Sequence, residues 1–218
     1  MSAARSLLHP LASGPRGRRG HRTPRGNRGT RIALLTAAAA TVLAGCGSGG
    51  VSGGSGQTGF VTSAGGVATV KAASRQAGPK LSGETVDGKQ LDVSSFKGKI
   101  VVLNVWGSWC PPCRAEAPNF AKVAKETESK GVQFVGINTR DHSKGPAQAF
   151  EQDHDIPYPS LYDPTGKLIL RFPKGTLNPQ YIPSTVVLDR QGRVAARSLK
   201  AMTVDDLHKM LDPLIAEH

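Results

Sequence analysis

Cys110 and Cys113 form the part of this 218-residue chain that is best suited to chemistry. Two cysteines at C-x-x-C spacing can cycle between a dithiol and a disulfide, and the thiolate is the nucleophile in this exchange. A Val-rich apolar run, Ile100–Trp106, precedes the pair, and an amphipathic stretch to about Lys130 follows it. Unpaired backbone N–H groups and the helix dipole favour an anion at the start of a helix. Spacing and position together predict redox chemistry at Cys110.

Two other interpretations of the cysteine pair have less support. A structural zinc site usually needs four ligands, and the sequence has neither a second C-x-x-C pair nor a nearby pair of histidines. A purely structural disulfide would close a very short loop, so it would stabilise the fold less than a long-range bridge. We therefore expect no metal at this pair and no cofactor other than the redox-active Cys110–Cys113 disulfide.

The elements that must position the pair alternate between strands and helices. The predicted strands are Leu81–Val86, Gln90–Val93, Ile100–Trp106, Val132–Asn138, Pro157–Tyr162, Tyr181–Asp189 and Val194–Leu199. The predicted helices cover about 111–130, Lys144–Asp153 and Val204–Ala216, the last with Thr203 as its N-cap. Asp87-Gly88 indicates a hairpin between the first two strands. The pattern predicts an α/β fold with a central mixed sheet and helices on both of its faces.

The charge of the chain is concentrated near the N-terminus. The formal net charge is +12, but residues 1–45 hold eight arginines and no acidic residue. The remainder has 20 basic and 16 acidic residues, a net charge of +4. This small excess gives no indication of nucleic-acid binding by the rest of the chain.

The segment that follows the arginines is organised like an export signal. Ile32–Ala44 is apolar, rich in alanine, and too short to span a bilayer comfortably. It leads into Leu43-Ala-Gly-Cys46, which resembles the bacterial lipobox. We expect residues 1–45 to be a signal peptide and Cys46 to carry the lipid. Cys46 is then assigned to the anchor, which leaves no cysteine for a structural bridge.

The export signal is followed by a Gly/Ser-rich segment and then by the predicted domain. Residues 46–78 contain few large apolar side chains and predict a flexible linker, within which the short run Val67–Val70 could pair as a strand. The predicted domain covers residues 79–218. Such a linker suits a domain held a short distance from a membrane.

The stretch from about Pro79 to His218 resembles the thioredoxin-like TlpA/ResA/DsbE group of extracytoplasmic thiol–disulfide oxidoreductases. The specific matches are Trp-Cys-Pro-Pro-Cys-Arg-Ala-Glu at 109–116, Asn104 in the preceding strand, and Ile-Pro-Ser-Thr at 182–185. The segment between the second buried strand and Pro183 resembles the insert of this group. The resemblance implies a thioredoxin-like fold with an N-terminal β-hairpin and a family insert after the second core strand.

Roles can be expected for three residues of the motif. Cys110 is nearer the helix start, so we expect an exposed nucleophile with a lowered pKa, and Cys113 should be the buried resolving thiol. Glu116 follows Cys113 by three residues and shares its helix face. Spacing leaves two roles open for Glu116: a proton acceptor, or a solvated carboxylate that favours the helix N-terminus. The resemblance implies an active-site role, since a glutamate at this place is an active-site residue in ResA-like proteins. Asn104 supports this, because thioredoxins have a buried aspartate there as a proton carrier and an asparagine cannot ionise.

The resemblance also implies a substrate-binding surface beside the cysteines. Pro183 should be cis and face the pair, although X–Pro bonds are more often trans. Ile182 would offer backbone groups to an extended substrate peptide, as in strand addition. Trp109 would be an apolar platform over the site, a role that is compatible with ordinary packing.

The resemblance implies a lipoprotein on the outer face of the bacterial cell membrane that exchanges disulfides with client proteins. We favour a reductase in cytochrome c maturation that acts on the apocytochrome and is reduced again by a CcdA-type transmembrane electron donor. The sequence leaves the direction open, so an oxidising, DsbE-like protein is the alternative. A Sco-type copper chaperone shares the fold, but it would need C-x-x-x-C spacing and a distal histidine.

Overall fold

The computed structural model describes residues 58–63 and 65–217. The predicted signal peptide, the predicted acylation site Cys46, and residues 46–57 of the predicted linker lie outside these residues. Among the residues described, no helix is both long enough and apolar enough to cross a membrane.

The described residues form nine strands and three α-helices. The strands are β1 (Val61–Thr62), β2 (Val67–Thr69), β3 (Ser82–Glu84), β4 (Gln90–Asp92), β5 (Ile100–Trp106), β6 (Val132–Thr139), β7 (Ser160–Asp163), β8 (Ser184–Leu188) and β9 (Val194–Ser198). The α-helices are α1 (Pro111–Thr127), α2 (Lys144–Asp153) and α3 (Val204–Ala216). Seven strands form one sheet in the order β1-β2-β9-β8-β5-β6-β7, and β3 and β4 form a separate hairpin. Because β5, β6 and β7 are parallel and the other neighbours antiparallel, the sheet is mixed, as predicted.

Strand β5 lies inside the sheet and is buried along its whole length. Its side chains alternate between the two faces, as in any strand. Ile100 and Val102 pack with Phe120 of α1 and Leu211 of α3 in one apolar cluster. This burial on both faces explains why β5 has a continuous apolar sequence instead of an alternating one.

The opposite face of the sheet is covered by different elements. Leu103 and Val105 of β5 pack with Leu81 of the segment before the hairpin, and with Ile169 and Phe172. A short 3₁₀ helix, Ile169–Arg171, provides part of this cover. The α-helices of the first cluster therefore lie on one face. The second face is covered by the hairpin region and short 3₁₀ segments, so the prediction of helices on both faces holds there only through these 3₁₀ turns.

The folded domain begins before the boundary predicted at Pro79. Strand β2 pairs antiparallel with β9, and Val67 within it is only 6% exposed. Arg75 forms an ion pair with Asp189 at 3.2 Å, which ties the following residues to the same body. The linker prediction is therefore wrong for residues 61–63 and 65–78, and the run Val67–Val70 does contain a paired strand. The sequence signal for it was weak, because a short pairing segment depends on the open edge of a distant strand more than on its own sequence.

The predicted insert between β6 and Pro183 contains α2, β7 and the 3₁₀ helix Ile169–Arg171. The ring of Trp106 at the end of β5 stacks on Phe150 of α2, with the ring centroids 4.3 Å apart. The Trp106 indole N–H donates to the hydroxyl of Ser160 in β7 at 3.3 Å. Gly136 of β6 permits this contact, since a Cβ there would overlap the Ser160 side chain and lie 2.6 Å from the indole nitrogen. The insert thus supports the end of β5 from which the cysteine loop departs.

Candidate active site

The cysteine pair lies where β5 passes into α1. Cys110 is the N-cap of α1, and its sulfur accepts a hydrogen bond from the backbone N–H of Cys113 at 3.3 Å. Pro111 and Pro112 occupy the first two helical positions, where a missing N–H costs little. The sequence therefore places the sulfur of Cys110 at a helix N-terminus, an environment that favours a thiolate.

The two cysteines form a disulfide with their Cα atoms 5.3 Å apart. Cys110 is 2% exposed and Cys113 is 1% exposed. Burial of Cys113 confirms the expectation, but the expected exposure of Cys110 is wrong for this disulfide form. The reason is a long-range contact, because the sulfur of Cys110 lies 3.8 Å from the carbonyl oxygen of Ile182.

The loop before β8 faces the disulfide, as expected. The Ile182–Pro183 peptide bond is cis, which confirms that prediction. Pro183 is buried and Ile182 is half-buried. The contact of the Ile182 carbonyl with Cys110 places this loop directly beside the disulfide.

Trp109 provides the exposed surface of the site. Its side chain is 48% exposed, and its indole N–H donates to the carbonyl of Thr139 at 3.3 Å. Gly107 allows the ring to fold back, because a Cβ there would lie 2.7 Å from the Trp109 Cε2 atom. An exposed ring fixed next to Cys110 is consistent with the predicted platform role.

A buried aspartate that the sequence analysis missed fixes the loop before the cysteines. Asp141 is 5% exposed and accepts hydrogen bonds from the backbone N–H of Ser108 (3.0 Å) and from its hydroxyl (2.5 Å). The side-chain amide of Asn138 also donates to this carboxylate at 2.6 Å. The sequence signal that could have identified Asp141 is the polar run that follows β6. Trp106 and Asn138 are in register on parallel strands, so the residues that follow each of them meet at the same edge of the sheet.

Glu116 is buried between three parts of the fold. It is 2% exposed, and one carboxylate oxygen accepts from the Asn104 side-chain amide of β5 at 2.9 Å. The other oxygen accepts from the backbone N–H of Met202, just before α3, also at 2.9 Å. This placement rules out the solvated carboxylate that spacing alone had left open.

Burial raises the pKa of Glu116 from its usual 4.5 to about 7. Removal of water from the carboxylate is the main cause, and the hydrogen bonds from Asn104 and Met202 oppose it by stabilising the charged form. A group with this pKa is partly protonated near neutral pH, which suits it to accept and release a proton.

The surroundings of Cys113 leave little room for solvent to serve as the base. A cavity of only about 10 Å³ lies beside it, the size of roughly one water molecule. The lining residues are Asn104, Trp106, Cys113, Ala117, Phe150, Ile156 and Tyr158. Glu116 lies one turn further along the same face of α1. The shared helix face makes Glu116 a candidate proton acceptor for Cys113.

Comparison with known proteins agrees with this site. A profile of the Redoxin family matches residues 69–211. The chain belongs to the Redoxin family. It is 31% identical over 138 residues to the thioredoxin-like protein YneN of Bacillus subtilis, which covers 63% of this chain and 78% of that protein. It is 29% identical over 134 residues to the thiol-disulfide oxidoreductase ResA of the same species, covering 62% and 72%.

A solved structure extends the agreement to three dimensions. A secreted thiol-disulfide isomerase from Corynebacterium glutamicum superposes with a TM-score of 0.65 at 35% identity, covering 70% of this chain and 93% of that one. These relatives confirm the resemblance to thioredoxin-fold proteins of the ResA/DsbE type. In the described part of the chain, no three His, Cys, Asp or Glu side chains are grouped closely enough to hold a metal ion.

The raised pKa of Glu116 predicts a pH-dependent stability that Glu116→Gln should lose. The folded carboxyl stays protonated up to about pH 7, whereas the unfolded one ionises near pH 4.5. Its contribution is therefore complete below pH 4.5 and is lost as the pH rises through 7. We expect the free energy of unfolding to fall by about 2–3 kcal/mol more in the wild type than in Glu116→Gln between pH 5 and pH 8. Urea unfolding of the oxidised proteins would measure this difference.

Comparison between variants isolates Glu116 from other buried acids. Burial also raises the pKa of Glu151 to about 6, but that contribution is common to the wild type and the variant. Glu128→Gln, at an exposed position just after α1, is the matched control and should follow the wild type. Parallel pH profiles for the wild type and Glu116→Gln would contradict the assignment.

Proposed function

We propose that this protein is an extracytoplasmic thiol–disulfide oxidoreductase that reduces disulfides in client proteins with its Cys110–Cys113 dithiol. The observation that carries the proposal is the buried Glu116 carboxyl, one helical turn from Cys113, with a pKa near 7. The relatives named above support the class of reaction, and the reducing direction is our own inference.

The first step joins protein and client. The Cys110 thiolate, stabilised at the N-terminus of α1, attacks one sulfur of the client disulfide. A mixed disulfide forms between Cys110 and the client, and the other client sulfur leaves as a thiolate that takes a proton from water. The carbonyl of Ile182 and the exposed ring of Trp109 border the position that the client chain would occupy.

The second step releases the client. Glu116 in its carboxylate form takes the proton from the Cys113 thiol, and the resulting thiolate attacks the sulfur of Cys110. The Cys110–Cys113 disulfide forms, and the second client sulfur leaves as a thiolate that takes a proton from water, to which Glu116 in turn releases the proton it accepted. In the two steps the client gains two electrons and the protein loses two. Turnover then needs a dithiol donor, for which we propose a CcdA-type transmembrane protein.

The proposed direction follows from the charge next to Cys113. Strong oxidants of the DsbA type stabilise their reduced form through an acidic thiolate, with a pKa of about 3.5. A carboxylate close to Cys113 disfavours a second anion there. The reduced pair is then less stabilised, so the protein gives up electrons more readily. Pro112 before Cys113 is also the residue found at this place in thioredoxin, which is reducing.

The location and the client follow from the relatives and from the predicted signal peptide. The secreted relative and the predicted signal peptide support an extracytoplasmic site, with Cys46 as lipid anchor on the outer face of the cell membrane. We extend the resemblance to ResA to a role in cytochrome c maturation, with the apocytochrome as client.

The two cysteines should behave differently when clients are trapped. We expect Cys113→Ser to accumulate mixed disulfides, because the attacking Cys110 remains and the resolving thiol is absent. Cys110→Ser should trap few, since Cys113 is buried within the first turn of α1, whereas Cys110 caps the helix N-terminus. Non-reducing gels of each variant with a disulfide-bonded protein such as insulin would show the complexes.

The double variant Cys110→Ser/Cys113→Ser is the control for this experiment and should form no mixed disulfides. Dithiothreitol should reduce every genuine mixed disulfide and so release the client. Equal trapping by the two single variants, or trapping by Cys110→Ser alone, would reverse the roles of the cysteines.

The reduction potential tests the proposed direction. We expect the Cys110–Cys113 couple to lie nearer that of thioredoxin, about −270 mV, than that of DsbA, about −120 mV. Equilibration with glutathione buffers of known potential, followed by alkylation and mass measurement, gives the value. A couple as oxidising as that of DsbA would instead support the oxidant alternative.

The predicted anchor can be tested separately from the chemistry. We expect Cys46→Ala to release the domain from the membrane fraction or to leave an unprocessed precursor, because the acylated cysteine would be missing. Fractionation of cells that produce each form measures this. A correctly processed Cys46→Ala protein that stays in the membrane fraction would require a different anchor.

A further inference from the structure

We propose that Arg140 determines client specificity by favouring clients that carry an acidic residue beside the disulfide to be exchanged. Arg140 follows the end of β6, outside the C-x-x-C motif and outside the loop of Pro183. The inference rests on the proposed function, because it specifies which clients the same site accepts.

The backbone at Arg140 is held in an uncommon conformation. Its φ is +61°, in the left-handed region that residues other than glycine, asparagine and aspartate rarely adopt. Both of its neighbours are fixed to the cysteine loop: the Thr139 carbonyl accepts from Trp109, and the Asp141 carboxylate accepts from Ser108. Residues in such conformations persist where the surroundings enforce them, and they cluster at functional sites. Here the result is an exposed arginine at the rim of the site.

The side chain of Arg140 connects the two segments that border Cys110. Its guanidinium lies over the ring of Trp109, 6.0 Å from the centroid. It also donates a hydrogen bond to the Pro179 carbonyl at 2.6 Å, in the segment that leads to Ile182. A guanidinium has five N–H donors, so donors remain for a carboxylate of a bound client.

The charges around this rim favour an acidic client. Arg114, also exposed, donates to the Ser108 carbonyl at 3.3 Å and adds a second positive charge to the same loop. Asp141 contacts this loop too, but its carboxylate is buried and directed at Ser108 and Asn138. Among the ion pairs of the described residues, neither Arg114 nor Arg140 has a carboxylate partner. The positive charge beside Trp109 is therefore available to a client.

The expected effect is moderate and depends on salt. Exposed charge pairs change rate or equilibrium constants by about two- to fivefold, and charges at the rim act mainly on association. Screening shortens the range of such interactions from about 10 Å at 0.1 M salt to about 3 Å at 1 M.

Two disulfide-bonded peptides that differ only in Glu or Gln next to one cysteine test the proposal. The reduced full-length protein is mixed with each peptide, and the released peptide thiols are followed by chromatography to give a second-order rate constant. The wild type should reduce the Glu peptide about two- to fivefold faster at low salt, and 1 M salt should abolish the difference.

Arg140→Gln should lose the preference, so that the ratio of its rate constants for the Glu and Gln peptides falls to about one, whatever its rate with the Gln peptide. Arg140→Lys should retain part of the preference, because it keeps the charge without the planar guanidinium. Lys125→Gln is the matched control: it removes one exposed positive charge in the last turn of α1 and should keep the full preference.

Each alternative result has a separate meaning. Equal rates for the two peptides in the wild type would overturn the proposal. Equal slowing of both peptides by Arg140→Gln would also overturn it, and would mean that Arg140 only holds the ring of Trp109 in place. Failure of the wild type to reduce either peptide would contradict the proposed reducing function instead. The same comparison would then be made with the oxidised protein and dithiol peptides, where the charge preference should persist.

Discussion

The rest of the site depends on the contacts of the buried Glu116 carboxyl. Its two oxygens accept hydrogen bonds from Asn104 of β5 and from the Met202 backbone before α3, so one side chain joins helix, sheet and C-terminal segment. The same burial keeps the carboxyl partly protonated near pH 7. The burial that joins these parts thus also raises the pKa of a carboxyl one helical turn from the buried Cys113.

The features that sequence could predict are those set by local pattern. The bounds predicted for α2 and α3 match the structure, and Thr203 caps α3 through the expected side-chain hydrogen bond. Strand β5 and the order of strand, C-x-x-C pair and helix were also predictable, because apolar runs and helix caps act over a few residues. The cis bond at Pro183 came from the family resemblance and not from the residues alone.

The features that sequence could not predict depend on contacts between distant segments. Cys110 is buried because the Ile182 loop, 72 residues later in the chain, covers its sulfur. Asp141 becomes part of the site only because β5 and β6 are parallel and in register, which brings their ends together. The conformation of Arg140 follows from the same packing, since the residues on either side are held by the cysteine loop.

The central claim is that Glu116 titrates near neutral pH and exchanges its proton with Cys113. Carbon NMR of the Glu116 carboxyl, followed against pH in both redox forms and assigned with Glu116→Gln, measures this directly. The account predicts a midpoint near pH 7 in the disulfide form and a different midpoint in the dithiol form, because a nearby thiolate changes the cost of a second negative charge. A midpoint near 4.5, or the same midpoint in both forms, would contradict it.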